Sequence, residues 1–156
     1  MGKKLVVLGS GISGLGSVNL AYRKGFEVFV SDAGSINEKI KKQFDSLNIY
    51  WEENTNEVTC LNQASYLIKS PGIPNNSPSV LKAKTLGIPV ISEIEFASFY
   101  TNAKIVGITG TNGKTSTTEL TYHILKKAGL NVGIAGNVGL SFAQQVLDNS
   151  FDIYVL

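Results

Sequence analysis

Disulfides, membrane-length apolar runs and strong charge are all missing from this sequence, and each absence narrows what the chain can be. A single cysteine, Cys60, excludes an internal disulfide and fits a reducing compartment. Neither a histidine nor a basic residue flanks it in sequence, so it reads as a small buried hydrophobe. The apolar run behind Lys3 and Lys4 is only Leu5 to Leu8, too short for a signal-peptide core. No run approaches the roughly 20 residues of a membrane span. A cytosolic protein with no membrane partner is therefore expected. The net charge of +2 gives no case for nucleic acid. The densest basic run, Lys39 to Lys42, falls on a helical pattern and reads as a solvated face. The only histidine, His123, reads as a helix-surface residue and not as a catalyst.

What is present is core-forming material. The chain has 156 residues, 43% hydrophobic and 17% charged, enough for one domain or two small ones. Leu5 to Leu8 suits a strand covered on both faces. Gly9-Ser10-Gly11-Ile12-Ser13-Gly14 follows at once, and Leu15, Val18, Leu20 and Ala21 then mark the inner face of a helix. Phe26 to Ser31 reads as a second strand ending at Asp32. In a Gly-x-Gly-x-x-Gly turn the first glycine allows the tight bend. The second lets a pyrophosphate approach, and the third lets helix and strand pack closely. The default ligand of such a turn is a dinucleotide, with Asp32 on a ribose hydroxyl.

Further along, Asn37 to Leu47 is helical, with Ile40, Phe44 and Leu47 on one face. Ile49 to Trp51 is a short strand, and Trp51 a packing residue. Glu57 to Gln63 reads as a weak helix and Ser65 to Lys69 as a strand, followed by the rigid loop Ser70-Pro71-Gly72-Ile73-Pro74. Ser77 as N-cap and Pro78 as first helical residue open a helix to Leu86, and Ile88 to Ser92 is another strand. About five strands alternating with helices predict a parallel, doubly wound α/β sheet, Rossmann-like, over 1–93. Glu93 to Tyr100 reads as a short helical stretch, and residues 94–103 as a connector.

The stretch Gly107-Ile108-Thr109-Gly110-Thr111-Asn112-Gly113-Lys114-Thr115-Ser116 lies between a strand, read as buried, and a helix from Lys114 to Ala128. Glycine amides and the helix N-terminus suit a nucleotide phosphate. Lys114 supplies charge to the outer phosphates and Thr115 a hydroxyl for Mg²⁺. The spacing departs from the strict phosphate loop, which would put glycine where Ile108 stands. Leu120, Ile124 and Ala128 share one face of that helix. Asn131 to Ala135 is a strand with Gly136-Asn137-Val138-Gly139 at its carboxyl end. Ser141 to Leu147 is a helix, and Phe151 to Leu156 begins another strand. Residues 104–156 thus read as the start of a P-loop NTPase-like α/β domain, truncated before its sheet is complete.

The two glycine-rich turns in this order resemble those of the Mur ligases of bacterial peptidoglycan synthesis. Gly107 to Ser116 is similar to the ATP loop of that family, Ile108 included, and Gly136 to Gly139 to its second motif. Asn112 stands where the L-alanine-adding members typically carry histidine. Ser70 to Pro74 is similar to the loop of the D-glutamate-adding members. The resemblance implies a three-domain, ATP-dependent amide ligase working through an acyl phosphate. Its partners would be UDP-N-acetylmuramoyl-L-alanine, D-glutamate, ATP and Mg²⁺, and the chain a monomer. By the same resemblance, Gly110, Thr111, Asn112, Gly113, Lys114, Thr115 and Ser116 bind ATP, with Lys114 catalytic and Thr115 and Ser116 on the metal. Gly11, Ile12, Ser13, Asp32, Ser70, Pro71, Gly72 and Asn137 bind the UDP-substrate. Ala33 and Gly34 stand where relatives often offer polar or basic side chains to the nucleotide. The resemblance also places further metal and D-glutamate ligands beyond residue 156, so the stretch by itself is expected to be inactive. Two other readings compete: an NAD-dependent oxidoreductase domain, which leaves Lys114 unexplained, and a non-catalytic nucleotide-binding module.

Overall fold

A computed structural model describes residues 3–136 and 139–156. Its first sheet is parallel and five-stranded. The strands are β1 (Lys4–Leu8), β2 (Glu27–Ser31), β3 (Tyr50–Glu52), β4 (Ala64–Lys69) and β5 (Val90–Ile91), in the order β3-β2-β1-β4-β5. β1 lies at the centre, with Leu5 opposite Val28 on one side and Tyr66 on the other. Its side chains alternate between two cores. Leu5 and Val7 join Val18, Leu20 and Ala21 of α1 (Ile12–Arg23), Phe44 of α2 (Glu38–Ser46) and Phe96 of α4 (Glu93–Ser98). Val6 and Leu8 join Val58, Leu61, and Val80 and Ala83 of α3 (Pro78–Thr85). This is the period-two pattern of a strand buried on both faces. It bears out the doubly wound α/β reading. β5 is shorter than expected, since Pro89 has no amide to extend its ladder.

The second sheet is parallel and three-stranded, in the order β6-β8-β7, from β6 (Lys104–Val106), β7 (Val132–Ile134) and β8 (Ile153–Val155). Helix α5 (Lys114–Lys127) packs on β7 and β8, and α6 (Phe142–Asp148) lies against α1 and α4. Through α6 the second sheet joins the first core, where Phe142 and Tyr154 are fully buried beside Val18 and Phe96.

Several expectations are corrected. Glu57 to Gln63 is irregular and not a helix. Ser79 Oγ takes the Val58 amide, the Glu52 carboxylate takes the Thr59 amide, and Gln63 has φ 64. Tertiary bonds thus occupy amides that a helix would have needed. Within these residues the strand before the Lys114 loop pairs with β8 on one side, with Ile105 exposed and Val106 half-buried. In α5, Leu120 and Ile124 share one face, as read, and within these 156 residues that face is uncovered, 60% and 57% exposed. The stripe of Thr118, Thr121, Tyr122 and Leu125 turns inward instead, buried at Thr118 and half-buried at the rest. Both stripes have helical spacing, and β7 and β8 cover this one. Ser77 stands at the N-cap position before Pro78, but its hydroxyl does not bond the helix. Cys60 is half-buried, not buried, and has a basic partner in space, Lys4 Nζ at 2.6 Å. His123 is exposed, as read.

Candidate functional site

Strand order reverses between β1 and β4, and open α/β sheets bind ligands beyond the carboxyl ends of strands at such a switch point. Gly9 follows β1 and Ser70 follows β4, so the Gly9–Gly14 turn and the Ser70–Pro74 loop meet there. Gly9 has φ +90, and a Cβ on it would come 2.8 Å from Ser70 Oγ. A Cβ on Gly14 would come 1.9 Å from the Gly9 carbonyl oxygen. The first and third glycines therefore allow the bend and the close helix-strand packing read from the motif. Gly11 faces open space, where a ligand can approach the N-terminus of α1. Ile12 is 70% exposed and Ser13 half-buried beside it. Ser70 Oγ is shielded from solvent and lacks a hydrogen-bond partner.

Asp32 is half-buried at the end of β2. Its Oδ2 accepts the Ser10 amide and the Ser10 hydroxyl, each at 2.6 Å, and its Oδ1 accepts the Gly34 amide at 2.9 Å. Burial works to raise its pKa, but the Ser10 hydroxyl and the amides of Gly34 and Ser10 prevail and hold it below the usual range. A carboxylate oxygen has two acceptor positions. Oδ2 is saturated, and one position on Oδ1 remains for a ligand donor such as a ribose hydroxyl. A cavity of about 250 Å³ adjoins this end of the sheet, lined by Leu8, Ala33, Gly72, Ile73 and Ser77 among others.

In the second sheet the Lys114 loop leaves β6 and enters α5 through Gly113, whose φ of +74 suits glycine. Lys114 Nζ donates to the carbonyl of Gly110 and, at 3.4 Å, to that of Thr111. The ammonium is thereby folded over its own loop, at the head of a 14-residue helix with no acid in its first turn. That arrangement fits a phosphate. Gly110 to Gly113, Thr115 and Ser116 are exposed around it. The hydroxyls of Thr115 and Ser116 fit a magnesium ion that draws its remaining ligands from phosphate and water. Among the described residues no cluster of three or more His, Cys, Asp or Glu could hold a metal.

One cavity of about 530 Å³ joins the two loops. Ser13 and Pro71 wall it from the first sheet, and Thr109, Lys114, Thr115 and Gly136 from the second. Of the predicted site residues it gathers these four: Ser13, Pro71, Lys114 and Thr115. Gly72 lines the smaller cavity, whereas Gly110 to Gly113 and Ser116 are not walls of either. Asn137 lies outside the described residues. Sequence reading missed two contributors: Ser10, which holds Asp32, and Glu93, a buried wall of the larger cavity. The helical stretch read from Glu93 is α4, whose start is capped where Ser92 Oγ accepts the Glu95 amide. Nothing local announces that Glu93 is buried.

Two glycine-rich turns thus face each other across one cleft, a geometry suited to nucleotide phosphates. The description "Mur ligase MurD-like, N-terminal domain" matches residues 3–92, and "Mur ligase middle domain" matches residues 108–154. The chain belongs to the Mur ligase family. It is 54% identical over 154 residues to a UDP-N-acetylmuramoylalanine--D-glutamate ligase of Bacteroides thetaiotaomicron, covering 99% of this chain and 35% of that protein. It is 52% identical to the protein of the same name in Bacteroides fragilis, with the same coverage. The chain thus spans about a third of the length of these relatives. The fold also matches a crystal structure of a UDP-N-acetylmuramate:L-alanyl-gamma-D-glutamyl-meso-diaminopimelate ligase from Neisseria meningitides. That match has a TM-score of 0.59 and 22% identity, and covers 99% of this chain and 52% of that one.

Proposed function

We propose that this chain supplies the UDP-substrate site and the first part of the ATP site of UDP-N-acetylmuramoyl-L-alanine:D-glutamate ligase, in peptidoglycan precursor synthesis. The observation that carries this reading is the single cavity walled by Ser13 and Pro71 on one side and by Lys114 and Thr115 on the other. An oxidoreductase domain would have no use for the second wall. The relatives at 54% and 52% identity, both named for D-glutamate addition, support the choice of member.

In this reading residues 1–93 hold the UDP end of the substrate, 94–103 connect, and 104–156 open the ATP-binding domain. Gly11, Ile12 and Ser13 lie against the diphosphate, and Asp32 offers its free Oδ1 position to the uridine. Pro71 walls the larger cavity and Gly72 the smaller one beside it, with Ser70 at the turn after β4, and Asn137 reaches the muramoyl part. Gly110 to Ser116 cradle the ATP phosphates.

The substrate carboxylate attacks the γ-phosphate of ATP and ADP leaves as the β,γ bond breaks; two anions must be brought together, so neutralisation is the main task. Lys114 supplies positive charge at the transferring phosphoryl group. Magnesium, when bound by Thr115 and Ser116, adds charge at the phosphate oxygens. The acyl phosphate formed is attacked by the amine of D-glutamate, phosphate leaves, and an amide remains. The setting is the cytoplasm, the working unit a monomer, and the wider role cell-wall growth and division. The 156 residues alone are inactive in this reading, since they span only 35% of the relatives.

Calorimetric titration of the chain with UDP-N-acetylmuramoyl-L-alanine and with NAD tests the substrate. Heat of binding is expected for the first only, and tight NAD binding overturns the reading. D-glutamate-dependent release of ADP is expected from the complete ligase and not from the 156 residues.

A further inference from the structure

Helix α6 follows a strand of the second sheet but packs on α1 and α4 of the first. Two contacts fix its first turn. On one side Gly16 of α1 makes room for Ser141, since a Cβ there would fall 1.9 Å from Ser141 Oγ. That oxygen accepts the Gln144 amide at 3.2 Å and caps the helix. On the other side Glu93, the first residue of α4, accepts the Ala143 amide with its Oε1, and the Phe142 amide also faces its carboxylate. Glu93 is 5% exposed and is the one buried carboxylate among the described residues. Burying an acid costs free energy unless it is bonded, and the bonds here run to the backbone of another element. Packing alone would be served by an apolar side chain. An acid adds direction, because it holds one end of α6 by its free amides.

The place of this contact matters. Glu93 is itself a wall of the cavity that separates Ser13 and Pro71 from Lys114 and Thr115. α6 begins directly after the turn in which the Gly136 amide bonds the Leu140 carbonyl. We propose that Glu93 is a positioning residue for the ligase reaction: through the first turn of α6 it sets the span between the Gly9–Gly14 turn and the Lys114 loop. The inference rests on the ligase reading above. A carboxylate anchored on one turn must reach a phosphoryl group held on the other, and a misplacement of about 1 Å can cost on the order of 10²-fold in rate. UDP alone, or ATP alone, touches one loop and does not sense the span.

The test uses Glu93→Gln and Gly16→Ala in the complete ligase. Glutamine keeps the size of Glu93 but has one acceptor oxygen in place of two, with an NH₂ donor where the second stood. Alanine at 16 forces Ser141 away. Four quantities are read: the Kd of UDP, the Kd of a non-hydrolysable ATP analogue, kcat for D-glutamate-dependent ADP release, and amide hydrogen exchange at Ala143. Both variants are expected to lose tenfold or more in kcat, with both Kd values within twofold and faster exchange at Ala143. Unchanged kcat overturns the proposal. So does a parallel loss of nucleotide affinity, which marks general loosening of the fold. So does unchanged exchange at Ala143 in Glu93→Gln. If the unsubstituted ligase gives no D-glutamate-dependent ADP, the ligase reading falls instead, and the exchange rates still decide the Glu93–α6 contact.

Discussion

Gly14, in the first helix, lies so close to Gly9, at the end of the first strand, that a Cβ on Gly14 would come 1.9 Å from the Gly9 carbonyl oxygen. The atom in the way is backbone, at a turn that also bonds Ser31, since the Gly9 amide donates to the Ser31 carbonyl at 2.8 Å. It cannot swing aside as a side chain can. Gly14→Ala is therefore expected to push α1 off the sheet and to destabilise the fold by about 3 kcal/mol, the upper end of overpacking costs. Denaturant unfolding of the protein and of the variant checks this. A loss below about 1 kcal/mol would mean that helix and strand are not in this contact.

Lys114 is half-buried and bonds only to carbonyls of its own loop, those of Gly110 and Thr111. Its replacement should leave stability nearly untouched and remove the charge that faces the transferring phosphoryl group. Lys114→Met in the complete ligase is expected to lower kcat by roughly 10² to 10³-fold, the usual cost of losing one electrostatic contact in a transition state. Its melting temperature should stay close to that of the parent. Full turnover in the variant would remove Lys114 from the chemistry.

Ser79 stands inside the second core, 4% exposed. Its hydroxyl accepts the Val58 amide and donates to the Asn56 carbonyl, both at 3.0 Å. Ser79→Ala leaves a buried N–H without a partner, which costs about 1–3 kcal/mol. Equilibrium unfolding measures it. A neutral result would show that water reaches Val58 in the folded state.

The same serine marks where sequence reading ran out. The strands of the first sheet were legible because short apolar runs end at glycine or polar turns, as Leu5 to Leu8 ends at Gly9. The two phosphate-type turns were legible because glycine spacing is a local property. Glu57 to Gln63 was not, because its backbone is held by Glu52 and Ser79 from elsewhere in the chain. The stripe of α5 that meets β7 and β8 was not, because Thr118 and Leu125 show no apolar run of their own in sequence. Likewise the pairing of Lys4 with Cys60, and of Glu93 with the start of α6, joins residues distant in sequence. Of the site, the motifs were visible and the residues that hold them in place were not.

Asp32 gives the candidate site a pH signature whose sign can be worked out. Burial opposes its charge, but the Ser10 hydroxyl and the amides of Gly34 and Ser10 outweigh burial, and its folded pKa lies below the ordinary 3.8. Between the two values the unfolded chain binds more protons than the folded one. The stabilisation is thus fully present above 3.8 and is lost as pH falls through the folded value. Glu93 has the opposite sign. Burial raises its pKa above the ordinary 4.5 against the pull of the Ala143 and Phe142 amides, so protonation on the way down to 4.5 favours the folded state. Melting temperature followed from neutral pH into acid should therefore carry a gain from Glu93 first and a loss from Asp32 afterwards. Asp32→Asn should remove the second component and leave the first, and Glu93→Gln the reverse. If Asp32→Asn follows the parent curve through the acid limb, the Ser10 and Gly34 bonds do not hold Asp32 ionised in solution.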